Sequence, residues 1–146
     1  MRPGLFAFAV GSGFLGGALY IDVVEQPARL VLDTRAMIRE WNSSNRRASI
    51  LLATLAIISS LLAFADFALT GDVRWLIGGT VMLASWPYSY FVVVPVNIWL
   101  YTIPPGSVTR QTLRALMRDW GLLEWGQTAI GVAACYFFAW ALLLPV

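Results

Sequence analysis

The chain has 146 residues, of which 59% are hydrophobic and only 12% are charged. A soluble domain is about half apolar and about a quarter charged, so this composition excludes an ordinary water-soluble fold. The net charge of +2 comes from ten arginines against eight acidic residues, because lysine and histidine are absent. Without a cationic face on a solvated fold, the composition also argues against nucleic-acid binding.

Four stretches are apolar enough to cross a bilayer, which takes about 20 residues of helix. We predict these spans at residues 4–24, 48–69, 75–101 and 122–144. Residues 1–146 are therefore predicted to form a single transmembrane domain, an all-α, integral membrane four-helix bundle. The connections at residues 28–41 and 107–120 mix arginines with apolar side chains, which predicts two short amphipathic interfacial helices.

Arginine placement predicts the orientation of the bundle in the membrane. Eight of the ten arginines lie between the first and second spans or between the third and fourth. Because arginine-rich connections stay in the cytoplasm, both termini should be extracytoplasmic. The lipid bilayer is the expected surrounding, and nothing in the sequence indicates a homo-oligomer.

Polar residues within the spans lie at one predicted depth, toward the cytoplasmic end. Glu25 and Arg29 end the first span at an ion-pair spacing of four, Asn97 ends the third, and Glu124 and Gln127 begin the fourth. Polar groups in a bilayer are costly and usually face the bundle interior. We therefore expect these side chains to converge on one cavity.

Aromatic residues are predicted to line this cavity. Trp86 and Tyr90 share a helical face with Asn97, and Trp120 lies four residues before Glu124. A pocket with carboxylates at one end and rings along its length suits a flat, lipophilic small molecule. The alternatives are that the rings serve only to pack the helices together and that the polar residues have only a structural role.

The absence of histidine excludes several kinds of catalytic and metal-binding site. A Ser-His-Asp triad and histidine-ligated zinc, copper or haem are excluded. Cys135 is the single cysteine, which excludes disulfides within the chain and CxxC sites. We predict no metal site and no cofactor.

Several motifs, taken in chain order, resemble those of a known family. Residues Glu25-Gln26-Pro27-Ala28-Arg29 follow a glycine-rich helix, Trp86-Pro87-Tyr88 and Pro95-Val96-Asn97 lie in the third span, and Trp120 leads the fourth. Together they resemble the anthrone-oxygenase-like membrane proteins over nearly the whole chain. The resemblance implies a four-helix membrane enzyme of secondary metabolism, whose relatives oxidise polycyclic anthrones to anthraquinones with molecular oxygen and without metal or flavin.

The chain departs from the family pattern near the start of the fourth helix. The family has a histidine there and an arginine three residues later, where this sequence has Glu124 and Gln127. If that histidine removes a proton from the anthrone, a desolvated glutamate must do so here. A glutamate can equally act as an acid in a redox-neutral cyclisation, isomerisation or epoxide opening.

The residues and the resemblance together lead to an enzyme that acts on a lipophilic polycyclic or polyketide-like molecule, with cofactor-independent oxygenation as the favoured reaction. The alternatives are a redox-neutral acid/base cyclase or isomerase, and a non-catalytic membrane subunit or small-molecule carrier. We predict Glu124 and Glu25 as catalytic residues. The predicted substrate-binding residues are Arg29, Trp86, Tyr90, Asn97, Trp120 and Gln127.

Overall fold

The computed structural model describes residues 2–104 and 106–144, and within them all regular secondary structure is helical. The four long helices are α1 (Pro3–Leu30), α2 (Thr34–Thr70), α3 (Val73–Thr102) and α4 (Arg110–Leu143). Each contains an apolar stretch long enough to cross a membrane. The predicted all-α class is confirmed, as is the prediction of four helices long and apolar enough to span a membrane.

The prediction of two separate interfacial helices is wrong. After a short break that ends at Asp33, the chain enters α2 at Thr34 and continues helically to Thr70. No proline or glycine lies in that range, so nothing interrupts the backbone hydrogen bonds. The second segment likewise forms the first turns of α4, because Thr109 caps the helix and Gly121 continues it. Residues 34–41 and 110–120 of the two amphipathic segments are therefore the first turns of α2 and α4, and residues 28–30 end α1.

The helices consequently extend beyond the predicted spans at their arginine-rich ends. With 37 residues, α2 is about 55 Å long, whereas the hydrocarbon core is about 30 Å thick. The second predicted span begins at residue 48, where the charged residues end. Hydropathy locates only the apolar part of a helix, so it did not reveal the charged turns that precede it.

Two prolines are accommodated inside helices by π-helical turns. A π turn at Ile21–Glu25 precedes Pro27 in α1, and another at Ser89–Val93 precedes Pro95 in α3. A proline ring clashes with the carbonyl four residues earlier in a regular α-helix, and the wider π turn relieves this clash. The extra residue also rotates the side chains that follow, which changes the face they present.

Each helix packs against two neighbours around a closed ring, so that α1 contacts α2 and α4, and α3 contacts α2 and α4. Close approach of α1 and α4 depends on Gly131, where an added Cβ would lie 3.3 Å from the Cα atom of Leu15. Toward the arginine-rich end, the backbone of α3 diverges from α2 after its first eleven residues. This divergence creates the cavity described next.

Candidate active site

A cavity of about 280 Å³ lies in the gap between α2 and α3. Its walls are mainly apolar, with Phe14 from α1, Leu52 and Ala53 from α2, and the rings of Trp86 and Tyr90 from α3. Tyr90 is 68% exposed at the rim, so the cavity opens on the outer surface of the bundle. In a bilayer that surface faces lipid, which gives a lipophilic molecule direct access.

Glu124 and Gln127 of α4 lie at the inner end of this cavity. They are three residues apart and therefore neighbours on one helix face. Glu124 is 8% exposed, and no hydrogen bond among residues 2–104 and 106–144 involves its carboxylate, although the nearby Gln127 and Thr128 are bonded. A buried carboxylate without a protein partner is available to a ligand.

A second, much smaller cavity of about 10 Å³ lies behind the first and shares Glu124 with it. Glu25, Arg29 and Trp120 also line this space, together with polar residues of α2 such as Ser49. The two predicted catalytic carboxylates therefore border the same internal space. A volume of this size, with several polar partners, is about what one water molecule requires.

Arg29 is the centre of a buried hydrogen-bond network. Its guanidinium donates to Glu25 Oε1 at 2.6 Å, which confirms the predicted ion pair, and to Gln26 Oε1 at 2.7 Å. It also donates to Ser44 Oγ at 2.9 Å and forms an ion pair with Glu40. Four of its five N–H groups are thus occupied by protein. The network joins α1 to α2 and leaves little of Arg29 for a substrate.

Trp120 and Asn97 are bound to each other rather than open to the larger cavity. Trp120 Nε1 donates to Asn97 Oδ1 at 2.8 Å, and the Arg29 guanidinium lies 5.2 Å from the centre of the Trp120 ring. Trp120 is almost fully buried, whereas Asn97 lines a shallower, adjoining opening nearer the arginine-rich end, which shares Ser49, Ile50 and Val94 with the larger cavity. Of the eight predicted site residues, the larger cavity brings together Glu124, Gln127, Trp86 and Tyr90.

Two contacts near Glu124 involve residues that the sequence analysis did not select. Tyr88 donates from its hydroxyl to the Leu123 carbonyl at 2.5 Å, which fixes α3 against α4. Thr128 donates to the buried Asp22 carboxylate, also at 2.5 Å, and joins α4 to α1. Thr128 is one residue beyond Gln127 and four beyond Glu124, so extending the polar stripe of α4 by one turn identifies it.

The partners of Arg29 on α2 were also missed. Ser44 lies in the polar run between the interfacial helix predicted at residues 28–41 and the second span predicted from residue 48. Its neighbour Asn45 is buried and donates to the Tyr101 hydroxyl at 3.2 Å. Buried positions Trp41, Asn45, Leu52 and Ala56 follow a helical period across this run. That periodicity was available in the sequence and indicated one continuous helix.

The opposite end of the bundle carries its own ion pairs. Arg2 contacts the buried Asp66 carboxylate at 3.1 Å, and Arg74 contacts Asp72 at 2.7 Å in the turn between α2 and α3. The hydrogen bonds from Arg74 hold the pKa of Asp72 below its ordinary value. In the described part of the chain, no group of three or more histidine, cysteine, aspartate or glutamate side chains is placed to hold a metal ion.

The family comparison agrees with the resemblance seen in the motifs of the third and fourth predicted spans, whereas the motif at residues 25–29 lies outside the matched range. The sequence model described as anthrone oxygenase matches residues 35–137, which covers all of α3 and most of α2 and α4. No curated protein and no solved structure matches the chain. The matched range includes Glu124, Gln127, Trp86 and Tyr90, the four predicted residues that line the larger cavity.

Proposed function

The chain belongs to the anthrone oxygenase family, and on that premise we propose that it is a membrane enzyme that oxidises a lipophilic polycyclic compound with molecular oxygen. The proposed reaction converts a ring methylene flanked by aromatic rings into a ketone, as in the conversion of an anthrone to an anthraquinone. The observation that carries this proposal is the unpartnered Glu124 carboxylate at the inner end of a ring-lined cavity.

The proposed reaction starts with proton abstraction by Glu124. The carboxylate removes one methylene proton, and the resulting carbanion is stabilised by delocalisation into the adjacent rings and carbonyl. The carbanion and O₂ form a carbon–oxygen bond, and the peroxide takes up the proton from Glu124. Loss of water from this hydroperoxide then leaves the ketone. One oxygen atom of O₂ enters the product and the other leaves as water, so the balance requires no separate reductant.

The contacts of the other predicted residues divide them into two groups of three, with Glu25 apart from both. Trp86, Tyr90 and Gln127 line the larger cavity, and we assign them to substrate binding. Arg29, Asn97 and Trp120 hold one another or neighbouring helices through hydrogen bonds and ring contacts, and we assign them to positioning. Glu25 borders the small cavity behind Glu124, which makes it the second candidate for proton exchange.

A redox-neutral acid/base reaction is the second candidate function. The specific observation in its favour is that the larger cavity combines a carboxylic acid with an amide, where the family pattern has a histidine and an arginine. A carboxylic acid can protonate an alkene or epoxide and then accept a proton back during cyclisation or isomerisation. In a third alternative, the same cavity belongs to a non-catalytic subunit or carrier.

Oxygen uptake and product analysis with the purified protein in nanodiscs test these alternatives. The probe is 1,8-dihydroxyanthrone, with spontaneous oxidation in empty nanodiscs subtracted. Glu124→Gln keeps the shape of the side chain and removes its titratable group, so turnover should fall by roughly 10²–10⁴-fold. Asp119→Asn is the matched control, because Asp119 is an exposed acid on the same helix and should be dispensable.

Each outcome favours one function. Near-full turnover by Glu124→Gln would refute the catalytic role of that carboxylate. If polycyclic probes are converted to isomers without oxygen uptake, the redox-neutral reaction is favoured over oxygenation. Saturable binding of the probe without any conversion would favour a carrier.

We further propose that the chain crosses the membrane four times, with both termini extracytoplasmic and the arginine-rich end, nearest the site, in the cytoplasm. The eight-to-two distribution of arginines supports this orientation, because arginine-rich connections stay in the cytoplasm. Single cysteines at Asp72 and Arg110 in a Cys135→Ser background can be labelled in inverted vesicles with a membrane-impermeant maleimide. Labelling at position 110 and protection at position 72 are expected, and the reverse pattern would overturn the orientation.

A further inference from the structure

The larger cavity has two groups of buried hydrogen-bond acceptors at its inner end, and the hydroxyl groups of Ser49, Ser85 and Ser89, which can donate or accept, also line it. Gln127 Nε2 faces the Ser85 carbonyl oxygen at 3.5 Å, and this contact requires the amino end of the amide rather than the carbonyl end. Gln127 Oε1 consequently lies on the other side, where it is buried without a partner among the described residues. The neighbouring Glu124 carboxylate contributes two further oxygens. An unmatched buried acceptor is costly, and a ligand that donates a hydrogen bond removes this cost.

No positively charged side chain lines this cavity among the described residues, and Arg46, exposed on α2, lines only the adjoining opening near Asn97. Of the described residues that line it, Glu124 is the only charged one. The closest arginine of the network, Arg29, borders only the small cavity, and its guanidinium is held by Glu25, Glu40 and two neutral side chains. A carboxylate or phosphate ligand would therefore lose its water without gaining a cation, which is strongly unfavourable in an apolar cavity.

We propose that Gln127, together with Glu124, determines specificity by charge and hydrogen bonding. The cavity binds a neutral, flat ring system through a hydroxyl that donates to these two side chains, and it rejects the same rings when they carry an anionic group. A phenolic hydroxyl fits because its pKa near 10 keeps it neutral and donating at physiological pH. This specificity is proposed for the same cavity as the proposed function. It rests on that function only where the cavity is treated as a catalytic site.

Equilibrium binding separates this inference from catalysis. Three matched probes differ only in their polar group: 2-naphthol is neutral and donating, 2-naphthoate is anionic, and 2-(aminomethyl)naphthalene is cationic at pH 7. Binding to the whole protein in phosphatidylcholine nanodiscs is measured by equilibrium dialysis, with partitioning into empty nanodiscs subtracted. We expect 2-naphthol to bind at least about tenfold more tightly than 2-naphthoate, because only the anion lacks a partner.

Replacing Gln127 by leucine tests the role of its amide. Gln127→Leu should weaken 2-naphthol binding by about three- to tenfold, the usual effect of losing one hydrogen bond. Gln111→Leu is the matched control, since Gln111 is an exposed glutamine in the first turn of α4 and should leave binding unchanged. The comparison of the three probes with the unmodified protein needs no variant, so it decides the question even if Gln127→Leu fails to fold.

The possible outcomes have distinct meanings. Equal or tighter binding of 2-naphthoate would overturn the inference, as would wild-type affinity of a folded Gln127→Leu variant for 2-naphthol. Tighter binding of the cationic probe than of 2-naphthol would also overturn it, in favour of a site for lipophilic amines. Probe selectivity without oxygen uptake would refute the proposed function alone, whereas oxygen uptake without selectivity would refute this inference alone.

Discussion

Replacing Arg29 by methionine is expected to destabilise the fold by about 3 kcal/mol. Arg29 is 2% exposed, and its guanidinium holds the carboxylates of Glu25 and Glu40 on two different helices. Methionine fills similar volume but leaves these carboxylates, and the buried Gln26 amide oxygen, without their donor. The loss therefore comes from unpaired polar groups rather than from a cavity.

The expected loss of stability depends on how well the partners of Arg29 can be rehydrated once the guanidinium is removed. Breaking a buried ion pair by removing one member typically costs about 3–5 kcal/mol. The Glu25 and Glu40 side chains are 18% and 35% exposed, so both can be partly rehydrated after the change. The lower end of that range is appropriate, which corresponds to roughly a hundredfold change in the unfolding equilibrium.

Reversible unfolding in mixed micelles of dodecyl maltoside and sodium dodecyl sulfate, followed by far-UV circular dichroism, measures this loss. Arg39→Met is the matched control, because Arg39 is an exposed arginine of α2 and should be within about 0.5 kcal/mol of wild type. Arg29→Lys should be intermediate, since it keeps the charge and loses the forked donor geometry. Equal stability of Arg29→Met and Arg39→Met would refute the assignment of Arg29 to positioning.

Two further predictions concern other polar contacts. Thr128→Val should destabilise the protein by about 1–3 kcal/mol, because it leaves the buried Asp22 carboxylate without its hydroxyl donor. Thr128→Ser keeps the donor, so equal losses in the two variants, measured by the same unfolding assay, would contradict the explanation. Asp72→Asn keeps the hydrogen bond to the backbone of α3 but removes the negative charge. The pKa of Asp72 is lowered in the folded protein. The stabilisation by its carboxylate is therefore present above the unfolded pKa of about 3.9 and is lost as the pH falls through the folded pKa. The difference in thermal stability between Asp72→Asn and wild type should therefore be present at pH 7 and decrease as the solution is made acidic, and a difference independent of pH would contradict the explanation.

The sequence by itself predicted the four helices that are long and apolar enough to span a membrane, and it predicted that Glu25 and Glu124 lie close together. Transfer of a segment into lipid depends on the summed hydropathy of about 20 consecutive residues, which is a local property of the chain. The same reasoning located Glu25 and Glu124 at one level, and the i, i+4 spacing identified the Glu25–Arg29 ion pair. These conclusions needed only the helical repeat and the cost of polar groups in hydrocarbon.

The tertiary structure alone decided which polar residues remain open to a ligand. Arg29 and Asn97 are grouped with Gln127 as predicted binding residues, yet Arg29 donates to Ser44 and the Asn97 Oδ1 atom accepts from Trp120. These partners lie 15 and 23 residues away along the chain. Hydrogen-bond partners at such separations depend on how neighbouring helices are rotated and spaced. Helical periodicity within one segment does not specify either quantity.

The cavity also depends on how neighbouring helices are arranged. It exists because α3 diverges from α2 near a break at Ala84 and a π turn at Ser89–Val93, while Tyr88 keeps α3 bound to α4. The proline content of α3 indicated an irregular helix but not the direction in which it would bend. That direction is set by contacts between helices, and it leaves Glu124 beside an open space rather than packed against a neighbour.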